Sequence, residues 1–126
     1  MKKRIFVEEK AKAKLREIFN CSNVQVWKAL TYESNSQMAR KIRYVALTQL
    51  GGTPNWDIMR QLETTHNEVD KTMEQTIGEH VKIVASKRTG DVMVYADGKV
   101  QEHHVNVDIP TFMQIQQSAG LLAMSY

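Results

Sequence analysis

Three side chains of the segment Asn23–Thr31 have the chemistry to distinguish the edges of DNA base pairs. Asn23 and Lys28 donate hydrogen bonds, and Val24 adds a small apolar group beside Asn23. In the major groove, asparagine favours adenine, lysine favours guanine, and an apolar side chain can contact the thymine methyl group. The sequence therefore predicts base contacts from Asn23, Val24 and Lys28, provided that one helix presents them on its outward face.

A second set of side chains has the chemistry for DNA phosphates, because hydroxyl, amide, indole and cationic groups can donate hydrogen bonds to phosphate oxygens. The predicted phosphate-contacting residues are Ser22, Gln25, Trp27, Arg40, Lys41 and Arg43. A helix that begins after Ser22 would add the anion affinity of its N-terminus. Other interpretations stay open: Gln25 as a helix cap only, Trp27 packed on the next helix, and the three cations as a solvated helix face.

Two short helices are predicted to position the base-contacting residues. Strong helix formers from Glu8 to Phe19, with acids in the first turn, predict the first helix. Asn20 tolerates the left-handed conformation that ends a helix. Ser22 and Gln25 form the capping-box pattern that begins a second helix at Asn23.

A third helix is predicted to begin after Ser34 or Asn35, with Gln37 three residues after Ser34, and to run to about Leu50. The glycine pair after Leu50 is a strong stop signal. Before the first helix, residues 4–7 predict a short edge strand. A basic arm of Lys2, Lys3 and Arg4 along the DNA backbone is the alternative for the N-terminus.

The run from Phe19 to Leu30, followed by a polar loop and an arginine-containing third helix, resembles the headpiece of lactose-repressor-type regulators. Their pattern is Gly-Val-Ser-x-x-Thr-Val-x-x-x-Leu. The residues that match it directly are Ser22, Val26 and Leu30. The residues that replace its glycine, its first valine and its threonine are Asn20, Cys21 and Gln25. The resemblance covers about residues 12–50 and implies a helix-turn-helix unit whose second helix enters the major groove.

One departure from that family concerns the crossing of the first two helices. Arg16 stands where the family has a small residue, so either Arg16 extends out of the contact or the crossing differs. Of the 126 residues, 76 follow Leu50, and the sensor domain of that family is not expected among them. More loosely, such a head on a β-containing tail resembles small regulators of mobile elements and phages.

The charge of the chain is divided unevenly. Residues 1–50 hold 11 Lys/Arg against 4 Asp/Glu, whereas residues 51–126 hold 6 against 10. A basic first half (+7) and an acidic second half (−4) are typical of a polyanion-binding module joined to a part that does not touch the polyanion. An uneven division that serves only solubility is the alternative.

The second half is predicted to begin with a long helix over Trp56–Ile77. Its apolar stripe consists of Ile58, Leu62, Val69, Met73 and Ile77, with His66 in the gap. So narrow a stripe favours a two-helix seam, within the chain or between two chains. Packing of this helix against the following sheet is the alternative.

Residues 80–107 predict a three-stranded antiparallel meander. Its strands are His80–Ala85, Gly90–Ala96 and Lys99–Val107, with turn signals between them. A last helix over Thr111–Met124 is expected to cover the sheet. Lys87 and Arg88 could act as a DNA-contacting wing, and the sheet could equally pair two chains. The predicted fold is thus α+β, with a head over residues 1–52 and a support or dimerisation tail over 53–126.

The composition favours a non-enzymatic DNA-binding protein. The sequence lacks a glycine-rich phosphate loop, a Cys/His zinc spacing and a nucleophile motif, and Cys21 is its one cysteine. His103 and His104 are adjacent on a predicted strand, so they point to opposite faces and cannot chelate one metal ion. We therefore expect no catalytic residues, metal, cofactor or small-molecule ligand.

The predicted function is sequence-specific binding of double-stranded DNA by a cytoplasmic, dimeric transcriptional regulator. The segments are too short and too polar for a transmembrane helix or a signal peptide, so no membrane partner is expected. The alternative is a protein- or RNA-binding module in which the three-helix head is only a packing unit.

Overall fold

The computed structural model describes residues 2–126, which form an α+β protein of two compact units. The helical unit comprises residues 2–57 together with 124–126, and the sheet unit comprises residues 58–123. In chain order the elements are β1 (Ile5–Phe6), α1 (Glu9–Phe19), α2 (Asn23–Leu30), α3 (Gln37–Gln49), β2 (Thr53–Pro54), a 3-10 turn (Ile58–Gln61), β3 (Leu62–Asn67), β4 (Thr72–Ile77), β5 (Val81–Ser86), β6 (Val92–Ala96), β7 (Lys99–His104) and α4 (Ile109–Met124).

The turn between α1 and α2 follows the predicted chemistry. Asn20 ends α1 in the left-handed conformation, with φ 49° and ψ 54°. The Ser22 hydroxyl accepts the Gln25 backbone N–H at 3.2 Å, and Gln25 Oε1 accepts the Ser22 backbone N–H at 3.0 Å. This capping box satisfies two donors at the beginning of α2 and confirms its predicted starting residue, Asn23.

The helical unit has its apolar core where α1, α2 and α3 meet. Each helix contributes the side chains on one face, which are Ala11 and Leu15 from α1, Val26, Ala29 and Leu30 from α2, and Ala39, Ile42, Ala46 and Leu47 from α3. Every pair of these three helices is in contact. The outward faces of the helices are therefore fixed by burial of the opposite ones.

The beginning of α3 corrects a sequence-based expectation. Neither Ser34 nor Asn35 is the N-cap; Ser36 is, and its hydroxyl accepts the Ala39 N–H at 3.1 Å. The Ser34 carbonyl and the Asn35 Oδ1 atom instead accept hydrogen bonds from Arg43. These bonds hold both residues in the loop, and α3 begins after them.

A two-stranded antiparallel sheet holds the N-terminal segment. Ile5 is paired with Pro54 and Phe6 with Thr53. Asn55 continues the pairing: its side chain accepts the Arg4 backbone N–H at 2.8 Å and donates to the Lys2 carbonyl at 2.8 Å. The backbone of residues 2–4 is therefore fixed beside Asn55, which does not match the alternative of a free basic arm.

Gly52 is expected to be intolerant of substitution because the backbone of α3 passes too close. A Cβ atom at this position would lie 2.8 Å from the Ala46 carbonyl oxygen and 2.9 Å from Ile5 Cγ2. We expect Gly52→Ala to lower the free energy of unfolding by about 2 kcal/mol, because either α3 or β1 must shift. Urea titration measures this, and Gly51→Ala is the neighbouring comparison: it adds no contact but has φ +67°. A loss in Gly51→Ala measures the cost of the positive φ alone, and unchanged stability of Gly52→Ala would contradict the predicted clash with α3 and β1.

The sheet unit contains five antiparallel strands in the order β3-β4-β5-β6-β7, so the predicted three-stranded meander is wrong. The last three strands lie close to the predicted ones, with an irregular register between Val94 and Tyr95. The two additional strands, β3 and β4, come from the segment that was predicted as a helix. Their pairing runs from Leu62 opposite Ile77 to Asn67 opposite Thr72.

The predicted long helix over Trp56–Ile77 is wrong, because this segment forms a 3-10 turn and two strands. Dimerisation through that helix is therefore excluded. A step of four residues keeps side chains on one helix face, but four is also even and keeps them on one strand face. Met73 and Ile77 satisfy both periods, whereas Val69 is 84% exposed at the tip of a turn. The Asn67 side chain makes that turn by accepting the backbone N–H groups of Val69 and Asp70, each at 3.0 Å.

α4 begins at Ile109, two residues before the predicted start. Asp108 caps it by accepting the Thr111 N–H at 2.8 Å, and hydrogen bonds from the Thr111 side chain and then from its backbone lower the pKa of the Asp108 carboxyl. Within the sheet unit, Ile115 and Ala119 are buried, and Gln116 donates to the Gln75 side chain at 2.9 Å. The helix thus covers an apolar sheet face that contains one hydrogen-bonded polar residue.

Candidate nucleic-acid interface

The outward face of α2 is the surface that the sequence predicts for base contacts. Asn23, Val24 and Lys28 are all exposed, and Val24 is 58% exposed despite its apolar side chain. Val26, Ala29 and Leu30 occupy the opposite face and are buried. At 100° per residue, Val24 and Lys28 lie near the centre of the outward face and Asn23 at its edge.

Arg16 modifies what Asn23 can do. The Arg16 guanidinium donates a hydrogen bond from Nη1 to Asn23 Oδ1. Arg16 therefore extends from α1 to the beginning of α2. With Oδ1 engaged, Nδ2 is the donor that Asn23 offers to a ligand. Because an amide oxygen has two lone pairs, Oδ1 can still accept a second hydrogen bond, and the predicted contact of Asn23 with adenine stays a prediction.

Lys28 lies beside the beginning of α3. It shares a cavity of about 80 Å³ with two serines, Ser34 and Ser36, and with Met38. The first turn of α3 carries no acidic residue, so its N–H groups retain their positive end charge. One cation, two hydroxyls and a helix N-terminus therefore border the same space.

Ser22 and Gln25 are exposed and joined to each other in the capping box. Of the two interpretations of Gln25, the cap is observed, and it leaves the side chain at the surface. The predicted phosphate contacts of both residues remain predictions. Trp27 is 48% exposed and lines a groove together with residues of β1 and α1.

The three cations of α3 do not share one environment. Lys41 is exposed and opposite the buried face of the helix. Arg40 is half-buried, with its guanidinium 4.9 Å from the centre of the Tyr126 ring. Arg43 is fully buried, so we no longer count it among the residues that could contact phosphate.

The buried Arg43 guanidinium donates hydrogen bonds to four residues of the helical unit. Its Nε donates to the Ser125 carbonyl at 2.8 Å, and its Nη1 donates to the Ala29 and Ser34 carbonyls at 3.0 and 2.8 Å. Its Nη2 donates to Asn35 Oδ1 at 3.1 Å. Burial lowers the pKa of Arg43 from its ordinary value, yet a guanidinium stays charged under these conditions. Arg43 thus positions α2, the following loop and residue 125 around α3.

Tyr32 packs against the Arg43 guanidinium. The Arg43 guanidinium lies 4.6 Å from the centre of the Tyr32 ring, and the Tyr32 hydroxyl donates to the Met124 carbonyl at 2.6 Å. Burial raises the pKa of the Tyr32 hydroxyl, so it remains a neutral donor. Trp56 packs edge-on against the Tyr32 ring at 5.9 Å, and the Lys3 ammonium lies 4.1 Å from the centre of the Trp56 ring.

No known protein family, no curated protein and no solved structure matches the chain.

The remaining candidates lie elsewhere in the described part of the chain. Lys87 and Arg88 are exposed between β5 and β6, in the sheet unit. Among residues 2–126 no cluster of three or more histidine, cysteine or acidic side chains could hold a metal ion. Nor does the described chain contain a helix with the length and apolarity needed to cross a bilayer.

Proposed function

We propose that this protein binds double-stranded DNA with α2 in the major groove and acts as a transcriptional regulator in the cytoplasm. The observation that carries the proposal is the division of α2 into two faces. One face is buried against α1 and α3, and the other presents Asn23, Val24 and Lys28 to the exterior. A short helix held from behind by two others, with polar and small apolar side chains outward, suits direct readout of base edges.

Phosphate contacts would come from groups that surround this face. Ser22, Gln25 and Trp27 lie on or next to α2, and Lys41 and the half-buried Arg40 extend from α3. The basic charge of residues 1–50 supports this role, since phosphate neutralisation supplies much of the affinity of any DNA-binding protein.

We further propose that the protein acts as a homodimer. A single α2 offers only a few base contacts, which are too few to select one site from a genome. Two copies would contact two half-sites about one helical turn apart. Because residues 58–77 form a 3-10 turn and two strands, pairing through a helix there is excluded, and the sheet is the remaining candidate for the pairing surface.

A second candidate function is binding of a protein partner. It is favoured by the exposure of two large apolar side chains on α2, Val24 at 58% and Trp27 at 48%. Binding of RNA by the same face is the third possibility. Binding to DNA duplexes separates the first candidate from the other two.

Selection of bound sequences from a pool of random DNA duplexes is the experiment that tests the proposal. We expect an enriched motif whose two halves are related by symmetry, and an affinity that falls steeply with salt, with a slope of roughly 0.9 per neutralised phosphate. An asymmetric motif would contradict the dimer only. Absence of binding to any duplex at low salt would contradict DNA recognition and favour the protein-binding candidate.

A further inference from the structure

A groove beside α2 has a composition that the outward face of α2 does not explain. It encloses about 260 Å³ between β1, the beginning of α1 and α2. Buried aliphatic side chains, including Ile5, Val26 and Leu30, contribute to its lining. Two large aromatic residues, Phe6 and Trp27, also line it, yet they remain 51% and 48% exposed.

Charged and polar groups at the groove are mostly hydrogen-bond donors. Arg4 is exposed, and its guanidinium lies 5.0 Å from the centre of the Phe6 ring. Lys12 lines the groove and is paired at 3.3 Å with Glu9, whose side chain is largely in solvent. Asn23, whose Oδ1 is engaged by Arg16, contributes its Nδ2 donor. Two cations against one acid favour an anionic ligand.

We propose that this groove binds one unpaired nucleotide of a DNA strand. Its base would stack against Phe6 and Trp27, and its phosphate would contact Arg4 and Lys12. Stacking on aromatic rings beside cations is how proteins hold unpaired nucleotides. The proposal rests on the proposed function, because it takes DNA as the polymer that the helical unit binds.

Size and position support a single nucleotide of a strand. The groove is smaller than the roughly 300–1,000 Å³ of sites for drug-sized ligands, so it suits one base and not an extended cofactor. A base inside a duplex has both faces stacked and must be unpaired to enter such a site. Because Asn23 and Trp27 belong both to the groove and to α2, a strand in the groove would continue along the proposed DNA surface.

The test uses three duplexes that share the selected site and differ at one position next to it. The first is fully paired, the second carries one unpaired thymidine, and the third carries an unpaired abasic nucleotide. We expect the thymidine duplex to bind roughly tenfold more tightly than the other two. The abasic duplex separates the base from the added flexibility of the backbone, so equal binding of the thymidine and abasic duplexes overturns the inference.

Two matched variants locate the effect. Phe6→Leu should abolish the preference for the unpaired thymidine and leave binding of the paired duplex unchanged. Val24→Ala, on the same helical unit but outside the groove, should weaken binding of all three duplexes equally. Circular dichroism checks that each variant folds. At saturating duplex, stronger quenching of tryptophan fluorescence by the thymidine duplex than by the abasic one provides a test on the unaltered protein.

The outcomes also distinguish the two proposals. Equal binding of the paired and thymidine duplexes overturns the groove inference and leaves DNA recognition intact. Absence of binding to all three duplexes at low salt overturns DNA recognition and the groove inference together.

Discussion

Replacement of Arg43 by methionine should lower the free energy of unfolding by about 3 kcal/mol. Methionine fills much of the same space but offers no donor. The carbonyls of Ala29, Ser34 and Ser125 and the Asn35 side chain would then lose the hydrogen bonds that they accept at 2.8 to 3.1 Å. Exchange of a buried ion pair for apolar residues can be harmless because both charges disappear. Here the acceptors are mainly main-chain groups, which remain in place.

Guanidinium denaturation of the variant and of Arg40→Met measures this effect. Arg40 belongs to the same helix and undergoes the same chemical change, but it is half-buried and stacks on Tyr126. We expect its replacement to cost about 1 kcal/mol or less. Equal midpoints for the two variants would show that the bonds of Arg43 add no more to stability than the contacts of Arg40 do.

Replacement of Lys28 by glutamate should weaken binding of the selected duplex by about a hundredfold and change the preferred base at one position of each half-site. The change removes a donor suited to guanine and introduces an acceptor suited to the cytosine amino group. It also places a negative charge at the centre of the outward face of α2, close to Ser34 and Ser36 at the beginning of α3.

Lys41→Glu is the matched control, because it makes the same charge change on an exposed position of α3. We expect it to weaken binding to all duplexes alike and to leave the selected motif unchanged. The comparison is made by repeating the selection with each variant. The same motif for wild type and Lys28→Glu would rule out a base contact by this residue.

Local sequence signals were sufficient to predict the turn between α1 and α2. Asn20, Ser22 and Gln25 act within six residues of one another, and the observed φ of Asn20 and the capping box follow from their chemistry. The beginning of α3 was not decided locally, since Ser34, Asn35 and Ser36 are all good caps. The bonds from Arg43 to the first two settle it.

The wrong prediction of a helix over residues 56–77 also arose because the local signals allowed more than one structure. The apolar spacing there is compatible with a helix and with a strand, so periodicity could not choose between them. Threonines at 64, 65, 72 and 76 and the turn made by Asn67 favour paired strands. A sequence reading that gave more weight to β-branched residues than to spacing would have found the hairpin.

The burial of Arg43 could not be predicted from the sequence for a different reason. Its position on the buried side of α3, four residues after Ala39 and three before Ala46, was visible in the sequence. Its charge nevertheless favoured the surface, because arginine is rarely buried without partners. One partner is the Ser125 carbonyl, 82 residues away along the chain. No local pattern could have indicated that bond.

The membership of residues 124–126 in the helical unit affects how the protein is made. On the ribosome, residues 2–57 emerge first and the whole sheet unit follows before residue 124 does. The sheet unit can therefore fold while Arg43 and Tyr32 still lack the Ser125 and Met124 carbonyls. The helical unit that carries the surface proposed to bind DNA is completed only after residues 124–126 have emerged, and truncation before residue 124 is expected to make the unit unfold more readily.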